Sequence, residues 1–126
     1  MSIFPRSAVE SYGNEVEGLI KRLLVAMSEN LGFKDGDYLV NTFKCNNLFF
    51  RANYYPPCPR PDLVLGTHGH TDHGCLTILL QDKEMDGLQV FKDNAWFSIN
   101  PVPNAVVINV GDQLKVRLLL LPIKYQ

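Results

Sequence analysis

His70 and Asp72 stand two residues apart in His70-Thr71-Asp72, and an imidazole beside a carboxylate is a donor pair suited to a first-row divalent metal. On an extended strand, residues i and i+2 project to the same face, so both side chains can converge on one cation. They supply two of the three protein ligands of a 2-His-1-carboxylate facial triad, whose open positions let non-haem iron(II) take a co-substrate and dioxygen together. The sequence holds three histidines, His68, His70 and His73, all in this one segment. No distant strand of the chain offers a second imidazole. His68 shares strand parity with His70 and reads as a rim residue, and His73, on the opposite parity, is expected to face solvent or the following turn.

These residues need elements to hold them. Ser7 with Glu10 has the spacing of a capping box, and Val9, Tyr12, Val16, Leu19, Ile20, Leu23 and Met27 then recur at three- and four-residue intervals, which predicts an amphipathic helix over 7–31. Gly32 fits the left-handed position that follows a helix end. Asp35-Gly36 reads as a turn, residues 38–43 as a short helix, and Asn46-Asn47 as a second turn. From Leu48 the period shortens: 48–55, 63–71, 76–81, 87–91, 95–99 and 105–110 are predicted strands, with Asp93-Asn94 as a hairpin turn. Pro56, Pro57, Pro59 and Pro61 stiffen the loop around Cys58 and Arg60, because proline fixes its own φ and restrains its predecessor. Many short strands behind one long helix predict a mostly β fold with an N-terminal helix, built as a sandwich or barrel.

Composition narrows the function classes. The chain has 126 residues, 46% of them hydrophobic, with a formal charge of -1, which is the scale of one small domain with a modest core. The balanced charge lacks the basic footprint of nucleic-acid or anionic-membrane binding, so neither partner is expected. The N-terminus has no secretory pattern and no apolar run is long enough to span a bilayer; a cytoplasmic location is expected. Cys45, Cys58 and Cys75 are odd in number and share no metal-binding spacing, so each reads as a small buried or half-buried thiol.

Six ordered blocks resemble one family. Asn53-Tyr54-Tyr55-Pro56-Pro57-Cys58-Pro59, Leu65-Gly66, His70-Thr71-Asp72, Leu76-Thr77-Ile78-Leu79-Leu80-Gln81, Gly87-Leu88-Gln89-Val90 and Ile108-Asn109-Val110-Gly111-Asp112-Gln113, with Trp96 and Pro103 between the last two, look like the plant-type iron(II)/2-oxoglutarate-dependent dioxygenases of the isopenicillin-N-synthase-like class. The resemblance runs from about Ser7 to Leu114 or Lys115. It implies a double-stranded β-helix, or jelly roll, with His70 and Asp72 as iron(II) ligands and with Asn53 and Tyr55 lining the pocket of the co-substrate 2-oxoglutarate. Tyr55 would donate a phenolic hydrogen bond to a co-substrate carboxylate. Dioxygen and 2-oxoglutarate would be consumed, succinate and carbon dioxide released, and a small organic metabolite hydroxylated, desaturated or demethylated. A specialised metabolite or hormone is the family-level substrate.

The chain departs from the family after Leu114. The family's second iron-binding histidine and its R-x-S motif, whose arginine clamps the far carboxylate of 2-oxoglutarate, have no counterpart in Lys115–Gln126, and the family's usual N-terminal domain is also missing. The expected organisation is a helical segment over 1–47, a partial oxygenase domain over 48–115 and a divergent tail over 116–126. A partial gene product read into an intron at Val116-Arg117 is one account of that tail, and one more hydrophobic strand over 116–121 is the blander one. An incomplete jelly roll would leave sheet edges open, and self-association through them is expected. Two other readings stay open: His68-x-His70-x-Asp72-His73 also matches the signature of metallo-β-lactamase-type zinc hydrolases, where zinc activates water, and the chain could be a non-catalytic fragment.

Overall fold

The computed structural model describes residues 5–44, 48–83 and 85–121; Cys45 and the expected Asn46-Asn47 turn lie outside them. The chain forms two compact units, one ending at Gly69 and the other beginning at His70.

In the first unit, α1 spans Arg6–Asn30 and α2 spans Tyr38–Phe43. The expected capping box does not form. Pro5 occupies the position before the helix with φ -58° and ψ 135°, its carbonyl accepts from the amides of Ala8 and Val9, and Glu10 pairs with Arg6 at 2.7 Å instead of reaching back. A cation four residues away competes directly for the carboxylate that the box requires. The other end follows expectation: Gly32 has φ 78°, its amide donates to the Glu29 carbonyl, and the Phe33 amide donates to that of Ser28, a Schellman closure.

Val16, Leu24 and Ser28 of α1 and Leu39 of α2 are buried. Ser28 Oγ donates to the Leu24 carbonyl at 2.8 Å and accepts from the Leu39 amide at 3.1 Å, so one hydroxyl ties the first turn of α2 to α1. The Asp35-Gly36 turn is closed by the Asp35 carboxylate, which accepts from the Asp37 amide at 3.0 Å. Gly13, a poor helix former, faces Leu48: a Cβ there would lie 3.3 Å from Leu48 Cδ2. Nearby, Tyr12 and Phe50 meet edge to face.

Of the six predicted strands, two are not strands. Residues 48–55 are irregular, and 63–71 follow a single 3-10 turn at Pro61–Leu63 without joining a sheet. Extended backbone persists only where a neighbouring strand takes up its amides and carbonyls, and alternating hydrophobicity cannot name that neighbour.

The second unit carries β1 (Leu76–Leu79), β2 (Gln89–Lys92), β3 (Ala95–Ser98), β4 (Val107–Val110) and α3 (Asp112–Leu119). Antiparallel pairing joins β1 to β4, with Leu76 opposite Val110 and Leu79 opposite Val107, and β2 to β3, with Gln89 opposite Ser98. Asp93 and Asn94 turn the second pair with φ 50° and 61°, the two left-handed residues of a type I′ hairpin. Four strands of four residues, against helices of 25, 6 and 8, make the described strand content smaller than a mostly β reading implies. Over 116–121 the hydrophobic strand reading is also corrected: α3 runs through Leu119, with Asp112 in its first turn, Arg117 in its last and Leu114 fully buried. Both charges complement the helix dipole.

Candidate metal and co-substrate site

His70 and Asp72 do not lie on a strand; residues 68–73 are irregular. The donor atoms converge nevertheless, with His70 Nε2 3.8 Å from Asp72 Oδ1. Two donors that each sit roughly 2.1 Å from one cation are about 3.0 Å apart when they meet it at right angles and at most about 4.2 Å apart, so one ion can reach both, and right-angled coordination would draw them together by about 0.8 Å. An imidazole nitrogen with a carboxylate oxygen also suits iron(II) or manganese(II) chemically. The Asp72 side chain is 27% exposed and that of His70 62%, so the carboxylate is the more enclosed of the two donors.

What replaces the strand is a clasp. The segment Gly111–Gln113, which opens α3, donates three backbone hydrogen bonds into the 72–75 loop: Gly111 to the Cys75 carbonyl at 2.9 Å, Asp112 to that of Asp72 at 2.7 Å, and Gln113 to that of Gly74 at 3.2 Å. Gly111 has an ordinary φ of -86°, so its glycine is required by space rather than by conformation. A Cβ there would stand 2.1 Å from the Gly74 oxygen. Side chains reinforce the contact, with Thr71 Oγ1 donating to Asp112 Oδ2 at 2.8 Å and Asn109 Nδ2 approaching Asp72 Oδ2 at 3.5 Å. His73 Nδ1 is 4.0 Å from the same Asp112 oxygen, with its side chain almost wholly exposed, matching the expectation that it faces solvent.

Asn109 and Asp112 belong to the Ile108–Gln113 block, whose spacing alone assigns neither of them a role. Their signal was the V-G-D-Q glycine, which marks a close backbone approach without saying to what.

Asn53 and Tyr55 lie in irregular chain of the other unit and are both exposed. A Cβ on Gly66 would lie 3.2 Å from Tyr55 Cε1, so the Asn53–Tyr55 and Leu65–Gly66 blocks are neighbours. In the proline-rich loop, Arg60 and Asp62 form a two-pronged pair at 2.9 and 2.7 Å, and the guanidinium holds the Asp62 carboxyl below its usual range. Cys75 is half-buried, as expected, whereas Cys58 is exposed, contrary to the expectation of a buried or half-buried thiol, because the proline-rich segment around it is exposed throughout. Among the described residues no three His, Cys, Asp or Glu side chains gather into one cluster.

The 2OG-Fe(II) oxygenase superfamily profile matches residues 46–120. The chain belongs to that superfamily. The chain is 43% identical over 111 residues to Protein DMR6-LIKE OXYGENASE 1 of Arabidopsis thaliana, covering 88% of the chain and 31% of that protein. It is 46% identical over 116 residues to a 1-aminocyclopropane-1-carboxylate oxidase homolog of Solanum lycopersicum, covering 90% and 31%. The crystal structure of JOX2 in complex with 2OG, Fe and JA superposes with a TM-score of 0.78 at 39% identity, over 88% of this chain and 33% of that one. The chain thus spans about a third of the length of the relatives it matches.

Proposed function

We propose that this chain is the part of an iron(II)- and 2-oxoglutarate-dependent dioxygenase that contributes two of its metal ligands, His70 through Nε2 and Asp72 through Oδ1. The observation that supports this most is their 3.8 Å separation inside a segment that the superfamily profile covers. The reaction would oxidise a small organic metabolite, with succinate and carbon dioxide as co-products. JOX2 was solved with 2OG, Fe and JA, which favours a small organic metabolite over a macromolecule. The bound iron and 2-oxoglutarate would supply the oxidising chemistry. The protein residues bind and orient: His70 and Asp72 hold the metal, the clasp from 109–113 fixes the loop that carries them, and Asn53 and Tyr55 offer an amide and a phenol to a co-substrate carboxylate.

On this reading the four strands are part of a jelly roll, with residues 1–47 a helical segment before it and 116–126 a divergent tail. Sheet edges left open would pair with other chains, which is the basis for expecting self-association. The test is iron-dependent succinate formation from 2-oxoglutarate by this chain beside a version extended through the second histidine and the R-x-S arginine. Turnover by the extended version that disappears in Asp72→Ala and His70→Ala is the expected result. Undiminished turnover in both variants refutes the ligand assignment.

A further inference from the structure

We propose that Thr71, Asn109 and Asp112 are positioning residues that fix the Asp72 carboxylate for a divalent cation shared with His70. The inference rests on the cation reading above and adds to it the groups that aim the ligand. An unrestrained aspartate samples several rotamers, so a loop ligand needs partners to hold one of them. Here the restraint reaches the ligand by three routes. Asp72 is held at its backbone, where its carbonyl accepts from the Asp112 amide at 2.7 Å. The residue before it is held at its side chain, where the Thr71 hydroxyl donates to Asp112 Oδ2 at 2.8 Å. The carboxylate itself has Asn109 Nδ2 on Oδ2 at 3.5 Å, leaving Oδ1 as the oxygen nearer His70 Nε2.

The placement of these groups is built in rather than incidental. Asn109 alternates with Val110 on β4 and shares the more covered face with Val107, and its register partner is Thr77. Asp112 is the first residue of α3, where the helix dipole favours its charge, and the hydrogen bond it accepts from Thr71 is charge-assisted. Its Oδ2 is therefore engaged by the residue between the two ligands, and Asp112 acts on the cation through Asp72.

Manganese(II) affinity of the 126-residue chain, read from the signal of the free ion in electron paramagnetic resonance, tests the assignment without turnover. Amide hydrogen exchange at Asp112 reads the clasp without any metal. Thr71→Val and Asn109→Ala should each weaken manganese binding roughly 10-fold, Thr71→Ser should restore it, and Thr71→Val should also speed exchange at Asp112. Asp72→Ala should abolish binding. Wild-type affinity in either Thr71→Val or Asn109→Ala removes that residue from the assignment, and in both it overturns the proposal while the cation site stands. Binding that survives Asp72→Ala, or no binding by the wild-type chain, refutes the cation site and the positioning role with it.

Discussion

Replacing Gly111 with alanine is the sharpest perturbation of the clasp. The new methyl would lie 2.1 Å from the Gly74 oxygen, 2.7 Å from the Gly74 carbonyl carbon and 3.0 Å from the Asp72 oxygen. Non-bonded heavy atoms rest at roughly 3.5–4.0 Å, so the 72–75 loop must retreat by about 1.5 Å. All three backbone hydrogen bonds from Gly111, Asp112 and Gln113 are stretched beyond useful length by such a shift. At about 1 kcal/mol net for each, the loss is roughly 3 kcal/mol, or on the order of 100-fold in the local opening equilibrium. Amide exchange at Asp112, measured by nuclear magnetic resonance at fixed pH, should accelerate by that factor. Gly74→Ala is the control, because a Cβ on Gly74 meets nothing within 4 Å, and it should leave exchange within about twofold of wild type, as surface substitutions usually do. Equal exchange in Gly111→Ala and wild type would show that the close approach does not exist.

Two further outcomes follow from groups outside the site. Ser28→Ala strands the buried Leu39 amide that its hydroxyl now accepts, which should cost about 1–3 kcal/mol and appear as selective loss of exchange protection at Leu39 and along α2. The Asp62 carboxyl, held low by Arg60, should show its side-chain carbon resonance titrating below the ordinary aspartate range and moving back toward it in strong salt. Because its folded pKa is depressed, the pair favours the folded loop above that ordinary range and loses its effect as pH falls through the folded value. Both partners are exposed, so the pair adds little to global stability and Arg60→Ala should leave the urea midpoint at neutral pH essentially unchanged.

Local chemistry made much of the fold legible. Gly32 closes α1 because the left-handed position needs no Cβ, Asp93-Asn94 turns β2 into β3 because both residues tolerate positive φ, and residues 38–43 form the short helix that their neighbouring turn announces. The failures share one physical cause, which is competition from partners distant in sequence or absent from the pattern. Residues 48–55 and 63–71 carry strand-like side chains but find no ladder, and Glu10 prefers Arg6 to the capping position. The site shows the same division. His70 and Asp72 were readable as donors, yet the reason they converge is a segment some forty residues onward, Thr71 and Asp112 being 41 apart. Spacing on an ideal strand predicts that the two donors approach each other, and they do so by a different geometry, because a clasped irregular loop can present neighbouring donors as well as a pleat can.

Trp96 is the sole tryptophan of the chain, and its ring lies 5.1 Å from that of Phe91 across the hairpin. Intrinsic fluorescence therefore speaks for this ribbon, whose pairing is local and forms on a timescale of roughly microseconds. An emission-monitored melt would follow a fast, local hairpin and stay silent about the 70–75 loop, so a tryptophan placed near Cys75 would be needed before any optical trace could be taken as a record of the candidate site.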